Sequence, residues 1–297
     1  VGSFNTDLTA YTERMPRPGE TIIGQKFVTG PGGKGSNQAV AAARLGADVT
    51  FIGRVGEDVF AEIGLNLWRQ EGINTDYVIR DPLNATGVAP IWVDHSGENM
   101  IIVVPGANLA ISLADIDAAT DVIAQADVLI TQLEINFDAL SHALQVAQSH
   151  GIPTILNPAP AATISHKIVT LADYLTPNET ELEALTGQDG PNIEAAARSL
   201  LTTDRQTVVV TLGAKGARWV NRRDTNLIST FPVEVVDTTG AGDAFNGGFA
   251  VARAEGKSLE EAIRFGNATA ALSVTRFGTA PSMPRRNEVE ALLISSK

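Results

Sequence analysis

Cysteine is absent from the sequence. The 297-residue chain therefore forms no disulfide bond, no cysteine-ligated zinc site and no thiolate nucleophile. This composition suits a reducing compartment, and we expect the protein to work in the cytoplasm. The sequence also lacks a run of about 18 apolar residues, so it predicts no membrane-spanning helix. The opening residues "VGSFN" are typical of the end of a strand and not of a signal peptide.

Basic residues are few. The chain has 22 Lys and Arg against 34 Asp and Glu, a formal net charge of −12 at pH 7. Because such a surface repels nucleic-acid backbones and anionic lipid, we expect neither nucleic acid nor membrane as a partner. A local anion site stays compatible with this charge, since backbone N–H groups can bind phosphate. The four histidines lie outside every motif, and we interpret them as surface or packing residues: His95, His142, His150 and His166.

Two residue patterns alternate along the chain. Short, continuous runs of apolar and β-branched residues, typical of strands buried on both faces, occupy 49–53, 127–133, 153–158, 173–178 and 207–213. Helical patterns occupy 36–46, 112–125, 137–151, 178–187 and 258–274. This alternation predicts parallel βαβ units. We therefore expect a single α/β domain over 1–297, with helices on both faces of a mainly parallel sheet.

Two extended segments interrupt the alternation. Residues 20–28 and 86–104 lack crossover helices, and the second contains a hairpin-like turn at 94–99. Such segments either extend one edge of the main sheet or form a separate small sheet over a site. We favour a separate β-lid, made of about 6–30 and 84–106, because both segments adjoin glycine-rich loops.

The first glycine-rich loop matches no nucleotide motif well. Its Gly-Gly-Lys is followed by Gly35 and not by Ser or Thr, so the Walker A pattern is absent. A G-x-G-x-x-G pattern does occur at 30–35, and Asp58 follows at about the spacing of a dinucleotide fold. However, Pro31 lies inside the turn, and Lys34 stands where the backbone must pack closely. An NAD-dependent oxidoreductase is therefore the weakest alternative.

The second glycine turn, "DTTGAGDAFNGG", opens a helix. Gly240, Ala241 and Gly242 allow consecutive N–H groups to point into one space, to which the helix dipole adds positive potential. Asp243 cannot bind an anion in this hole, so it would face the group that attacks the anion. This arrangement predicts a general base for a hydroxyl in phosphoryl transfer. The alternative is that Asp243 only caps the helix.

Ten motifs occur in order along the chain. They are "GSFNTD" (2–7), "PGET" (18–21), "GGKGSNQAVAAARLGA" (32–47), "GANLAIS" (106–112), "QLE" (132–134), "NPAPA" (157–161), "TPNETE" (176–181), "TLGAKG" (211–216), "DTTGAGDAFNGG" (237–248) and "TRFGTAPSMP" (275–284). With them the chain resembles the sugar-kinase family of ribokinase, fructokinase and adenosine kinase, and within it the ribokinase branch. The resemblance implies a Rossmann-like α/β fold with a β-lid. It also implies phosphorylation of D-ribose at the 5-hydroxyl by ATP and Mg²⁺.

The resemblance also implies roles for individual residues. Asp243 would take the proton, and Gly240, Ala241 and Gly242 would hold the transferred phosphoryl group. Ribose would contact Asn5, Asp7, Gly33, Lys34, Gly35, Asn37 and Glu134. The nucleotide would contact Asn178, Thr211, Leu212, Gly213, Gly216, Gly242 and Asn267. Glu181 would organise Mg²⁺ through water. A potassium ion would lie near Asp237, Thr239, Ser273, Arg276, Gly278 and Ser282, and two lids would pair in a homodimer.

Several alternatives stay open at this point. Glu181 could be a solvated carboxylate on a first helical turn, and Lys34 a surface cation. Pro31 and Ser36 stand where many family members carry Phe and Ala, and we expect the Ser36 hydroxyl beside the sugar site. A sister kinase acting on 2-deoxyribose or another sugar therefore remains possible, as does a sugar- or nucleotide-binding regulator without catalysis.

Overall fold

The computed structural model describes residues 1–188 and 192–295. The strands, in chain order, are β1 (Asn5–Tyr11), β2 (Lys26–Gly32), β3 (Thr50–Gly56), β4 (Asn74–Asp81), β5 (Gly87–Val93), β6 (Asn99–Ile101), β7 (Leu129–Gln132), β8 (Thr154–Asn157), β9 (Tyr174–Leu175), β10 (Thr207–Thr211), β11 (Ala217–Val220) and β12 (Thr225–Ile228). The α-helices are α1 (Lys34–Arg44), α2 (Val59–Gln70), α3 (Leu113–Ala118), α4 (Thr120–Ala124), α5 (Phe137–Ser149), α6 (His166–Leu171), α7 (Glu179–Thr186), α8 (Ile193–Ser199), α9 (Ala241–Ala254), α10 (Leu259–Ser273) and α11 (Arg286–Ser295). No helix within these two ranges is long and apolar enough to cross a bilayer.

The main sheet has six strands in the order β12-β11-β10-β9-β8-β7. Strands β7 to β10 are parallel, as the alternation of patterns predicts, and β11 and β12 extend the sheet antiparallel. The predicted run at 49–53 instead begins β3, which pairs only with β4 in a separate parallel pair. Val1 and Gly2 lie between the two sheets, because Val1 N donates to Ile130 O and Gly2 N to Ile52 O.

The helix predicted over 112–125 is wrong as a single element, because it divides into α3 and α4 at Ala119. The Ala119 amide donates to Ile116 O in a tighter turn. Ile116 before this turn and Ile123 after it both lie in the core, where they are at most 3% exposed. Tertiary packing outweighs helix propensity at this point.

The lid is a separate four-stranded sheet with the order β2-β1-β5-β6. The interpretation as a separate sheet is therefore confirmed over that of an edge extension. Strand β1 pairs antiparallel with β2 and parallel with β5. The turn predicted at 94–99 joins β5 to β6, with Val93 opposite Asn99. The extended segment predicted at 20–28 is only partly a strand, since β2 begins at Lys26.

Close packing brings the two glycine-rich regions together. Helix α9 packs against α1 on one side and α10 on the other. A Cβ atom at Gly247 would lie 2.5 Å from Ala41 Cβ, and one at Gly248 would lie 2.5 Å from Thr269 Oγ1. Only glycine allows helices to approach this closely. The contact places the first turn of α1 beside that of α9, where the candidate site lies.

Candidate active site

The Asp243 carboxylate lies on the first turn of α9 and is 6% exposed. Its Oδ2 accepts a hydrogen bond from Asn37 Nδ2 and its Oδ1 one from Gln38 Nε2, each at 3.0 Å. Both donors belong to α1. The alternative that Asp243 caps its own helix is wrong, since Gly240 is the N-cap residue and no side chain caps this end. The side chain faces the neighbouring helix.

Burial raises the pKa of Asp243 above its ordinary value. The positive charge of Lys34 and the Asn37 and Gln38 hydrogen bonds oppose that increase. A carboxylate with a raised pKa is a stronger base than one in water. The Lys34 charge and the two hydrogen bonds at the same time stabilise its ionised form. These are the properties that removal of a proton from an alcohol requires.

The turn before α9 presents main-chain donors. Gly240 has a φ of +78°, which favours glycine, and a Cβ atom there would lie 3.3 Å from Thr279 Cα. The Ala241 N–H donates to Thr238 O at 3.2 Å. For the N–H groups of Gly242 and Asp243, no acceptor lies within the described part of the chain. Unsatisfied donors at a helix N-terminus are suited to an anion.

The lid strand β1 supplies two polar side chains to the same cleft. Asn108 Nδ2 donates to Asn5 Oδ1 at 2.9 Å, which directs the Asn5 amide nitrogen away from that bond. A Cβ atom at Gly32 would lie 2.3 Å from Asp7 Oδ1, so glycine makes room for that carboxylate. Asp7 and Asp243 both lie close enough to Glu134 to be affected by its charge, although over 200 positions separate them in the sequence.

Glu134 follows β7 and is held by two donors. Its Oε2 accepts from Ser3 Oγ at 2.5 Å and from the Lys34 N–H at 3.0 Å. The bonds fix one carboxylate oxygen and so orient the group. Ser3 was not among the residues predicted from the sequence, although it lies in the "GSFNTD" motif.

The charged groups of the cleft influence one another. Burial and the negative charge of Glu134 raise the pKa of Asp7 to about 7. Burial lowers the pKa of Lys34, but the carboxylates of Asp243, Glu134 and Glu181 outweigh it, so the pKa is raised. The alternative that Lys34 is a surface cation is therefore wrong, because its ammonium group is partly buried among carboxylates.

Ser36 does not lie beside the sugar site as the sequence suggests. It is fully buried, and its Oγ accepts a hydrogen bond from Trp68 Nε1 at 2.9 Å. The hydroxyl therefore belongs to the packing of α1 against α2. The expectation failed because neighbouring residues on a helix point in different directions.

The residues predicted to hold a nucleotide lie at the start of α7, in the segment after β10 and on α10. Asn178 Oδ1 accepts from the Glu181 N–H at 2.8 Å, and Glu181 Oε2 accepts from the Asn178 N–H at 2.9 Å. Glu181 is 7% exposed, so the alternative of a solvated carboxylate is wrong. Burial raises its pKa, and the Asn178 N–H and Lys34 oppose this. No group of three or more acidic or histidine side chains in the described ranges could hold a metal ion.

The Thr211–Gly216 segment is a glycine turn after β10. Gly213 and Gly216 have φ values of +55° and +98°, and a Cβ atom at Gly216 would lie 2.1 Å from Ile228 O. Leu212 is buried beneath the turn. Asn267, on α10, donates from Nδ2 to Ile228 O and Ser229 O at 2.9 and 3.2 Å. Its amide hydrogens therefore bind the neighbouring backbone.

The turn over residues 238–242, which leads into α9, is called the anion turn below. The residues predicted to surround a potassium ion lie around this turn. Asp237 Oδ1 accepts from the Thr239 N–H and Oδ2 from the Gly278 N–H, both at 2.9 Å. Burial raises the pKa of Asp237, but these N–H groups outweigh it and lower the pKa. Ser273 and Ser282 donate to carbonyl oxygens three residues before them. The side chain of Arg276 pairs with Glu288, outside the turn.

The four histidines take no part in this site. His142 Nε2 lies 2.6 Å from Asp117 Oδ1, and His95 contacts the Glu13 carbonyl. None of the four is buried.

Solved structures define the class of this protein. It superposes with a TM-score of 0.91 on Thermotoga maritima ribokinase, at 41% identity over 99% of this chain and 97% of that one. Arabidopsis thaliana ribokinase complexed with ribose and ATP matches with a TM-score of 0.90 and 35% identity, covering 98% and 96% of the chains. The fold is therefore the Rossmann-like α/β fold with a β-lid that the motifs imply.

Sequence comparisons give the family. A model described as pfkB family carbohydrate kinase matches residues 1–286. Bacillus subtilis ribokinase is 44% identical over 99% of this chain and 98% of its own length. A Salmonella typhi deoxyribokinase is 41% identical over 96% and 94%. The chain belongs to the pfkB family of carbohydrate kinases.

Proposed function

We propose that the protein transfers the γ-phosphoryl group of ATP to the 5-hydroxyl of D-ribose, giving ribose 5-phosphate and ADP. One observation carries this proposal: a buried carboxylate, Asp243, lies beside main-chain N–H groups of the same turn that have no acceptor among the described residues. A cleft of amides and carboxylates adjoins it. The full-length likeness to ribokinases supports ribose and ATP as the substrates.

Asp243 is the general base. As the bond between ribose O5 and the γ-phosphorus forms, the bond from that phosphorus to the ADP oxygen breaks, and the O5 proton passes to the carboxylate. The N–H groups of Gly240, Ala241 and Gly242 stabilise the charge on the transferred group. Ala241 must release its bond to Thr238 to contribute. The transition state is loose, so proton transfer can come late.

The hydroxyls of ribose bind through polar groups on three elements. The side chains of Asn5, Asp7, Lys34, Asn37 and Glu134 contribute together with the Gly33 and Gly35 backbone. Asn37 Oδ1 is buried and has no partner within the described residues, so it is available to accept from a hydroxyl. Carboxylates and amides distinguish a sugar that offers a hydroxyl from one that lacks it.

The nucleotide binds across the opposite side, to Asn178, the Thr211–Gly216 turn and the α10 region around Asn267. Bound Mg²⁺ would supply positive charge to the phosphate oxygens during transfer. Glu181 would hold it through water, since Mg²⁺ is usually bound by one or two carboxylates together with substrate phosphates. Potassium would order the anion turn through the oxygen atoms around Asp237, which carries a negative charge close to that turn.

A homodimer through the lid is the assembly we propose, in the cytoplasm. Large apolar side chains of the lid are exposed: Ile23 by 90%, Phe27 by 64%, Met100 by 59% and Ile102 by 56%. An exposed, apolar sheet of this kind favours contact with another chain, here the lid of a second copy.

The decisive experiment measures coupled ADP release with ribose and with 2-deoxyribose, with and without potassium. Asp243→Asn is expected to lower turnover by about 10²- to 10⁴-fold while ribose binding is largely kept. Asp138→Asn, an exposed aspartate on the first turn of α5, is the matched control and should behave as wild type. Near-normal turnover of Asp243→Asn would remove the general base. Faster turnover with 2-deoxyribose would favour the sister kinase.

A further inference from the structure

A group of buried amides lies behind the Asp243 carboxylate. Gln38 Nε2 donates both to Asp243 Oδ1 and to Asn157 Oδ1, each at 3.0 Å. Gln38 Oε1 accepts from Gln132 Nε2 at 2.6 Å. The three amides are at most 5% exposed. Every hydrogen-bonding atom of the Gln38 amide is therefore engaged.

The orientation of the Gln38 amide is determined by a main-chain carbonyl. Asn157 Nδ2 donates to Thr176 O at 3.0 Å, and a carbonyl can only accept. Asn157 Oδ1 is therefore the acceptor that faces Gln38, and the Gln38 group beside it must be the NH₂. That same NH₂ faces Asp243, so Asp243 Oδ1 is held as an acceptor.

The network continues beneath the anion turn. Thr176 Oγ1 donates to Asn246 Oδ1 at 2.6 Å, and Asn246 Nδ2 donates to Gly242 O at 2.8 Å. The ends of β7, β8 and β9 thus support both the carboxylate and the turn that follows Gly240. The two parts of the proposed chemistry share one buried support.

We propose that Gln38 is a positioning residue for proton transfer. Held by Asn157 and Gln132, it keeps Asp243 Oδ1 an acceptor, and so keeps the carboxylate ionised and oriented until the sugar alcohol delivers its proton. This inference rests on the proposed role of Asp243 as general base. Gln38 acts through Asp243, whereas Asn37, which bonds Oδ2, is proposed to contact the sugar.

The acidic limb of the pH profile of kcat tests this role, because turnover there depends on the protonation of Asp243. The charged groups that act on Asp243 are Lys34 at the start of α1, Glu134 after β7 and Glu181 on α7. Gln38 and Gln132, like Asn157, are neutral at every pH. Loss of the Gln38 donor removes one of the influences that oppose burial. The protonated form of Asp243 then persists to higher pH, and turnover falls at the acidic end.

The experiment measures kcat and KM for ribose from pH 5 to pH 9, with the full chain and saturating MgATP. For Gln38→Leu we expect kcat at pH 7 to fall about tenfold, and the acidic limb to move up by about one pH unit. KM for ribose should change less than about threefold, since the direct sugar contacts remain. Gln38→Glu keeps the shape but adds a second carboxyl beside Asp243, so its limb should move further.

Gln206→Leu is the matched control. Gln206 is also a buried glutamine, 2% exposed, whose Nε2 donates to Val169 O and Ala172 O, far from the cleft. The Gln206→Leu variant should lose a comparable amount of stability and keep the acidic limb of the wild-type pH profile. If the Gln38 variants lose stability in the same way and their limb does not move, Gln38 is only structural and the inference is overturned.

Two further outcomes keep the test decisive. If neither Gln38 variant folds, Gln132→Met, which removes the donor to Gln38 Oε1, should move the limb in the same direction by less. An unmoved limb there also overturns the inference. A wild type that releases no ADP with any sugar defeats the proposed function itself. An active wild type with an inactive Asp243→Asn and unmoved Gln38 limbs defeats only the positioning role.

Discussion

The contact between α1 and α9 and the lid both supply polar side chains to one cleft, but they hold them differently. Asn37, Gln38 and Asp243 are at most 6% exposed, between helices packed too closely for any residue but glycine at Gly247. The lid is a thin sheet, and Phe27 on its β2 strand is 64% exposed. The difference indicates that the core fixes the Asp243 carboxylate, whereas we propose that the lid provides sugar contacts and closes over them.

The largest effect on turnover among the following variants is expected where the contact between α1 and α9 is broken. Gly247→Leu would drive side-chain atoms into Ala41, against which even a Cβ atom lies at 2.5 Å. Overpacking costs about 1–3 kcal/mol of unfolding free energy. Displacement of α1 from α9 would also lower kcat by about a hundredfold, because Asp243 loses its alignment. Urea unfolding and ADP release measure the two effects, and wild-type kcat in this variant would contradict the role of the contact.

Substitution of Asp7 by Asn is expected to raise stability but to weaken ribose binding. Its pKa is raised from 3.8 to about 7 in the folded protein, so ionisation opposes folding. The contribution of Asp7 to the stability of the ligand-free protein is therefore fully present below about pH 4 and is lost as the pH rises through 7. Asp7→Asn should remove that fall and be more stable than wild type at pH 8, by up to about 4 kcal/mol, since each pKa unit corresponds to about 1.4 kcal/mol.

Thermal melts of the ligand-free protein at pH 4 and pH 8 test this, with Asp138→Asn as the control. Asp7→Asn should at the same time raise KM for ribose. Equal stability of Asp7→Asn and wild type at pH 8 would show that the folded protein does not raise the pKa of Asp7.

The smallest effect concerns the lid alone. Gly32→Ala places a Cβ atom where Asp7 Oδ1 lies 2.3 Å away, so the carboxylate must move. KM for ribose should rise about tenfold, the effect of losing one charged hydrogen bond, while kcat and stability change little. Gly30→Ala, two residues earlier on β2, meets no atom within 4 Å and is the control. Equal KM values for the two variants would show that Asp7 does not need this space.

Much of the architecture could be predicted from local sequence. The buried runs predict β7, β8, β9 and β10, and the glycine turn predicts the start of α9, because strand periodicity and turn conformation depend on adjacent residues. The division of 112–125 into α3 and α4 and the pairing of β3 with β4 alone could not be predicted. Both depend on which distant surface each segment packs against.

Within the site, the sequence indicated which residue types are present but not which groups they contact. The motifs identify Asp243, Asn37 and Lys34, yet nothing in them shows that Ser36 turns to Trp68. The support of Glu134 by Ser3 was missed for the same reason. Side-chain direction on a helix and the approach of another element decide such pairings.

The sequence by itself determined the alternation of buried strands with helices, the lid segments and a glycine turn followed by a carboxylate. These follow from short-range sterics and periodicity. Only the tertiary structure decided how the carboxylate is held, because Gln38 and Asp243 are 205 positions apart. A buried amide takes whichever partners packing brings to it, because leaving a buried polar group unpaired costs free energy.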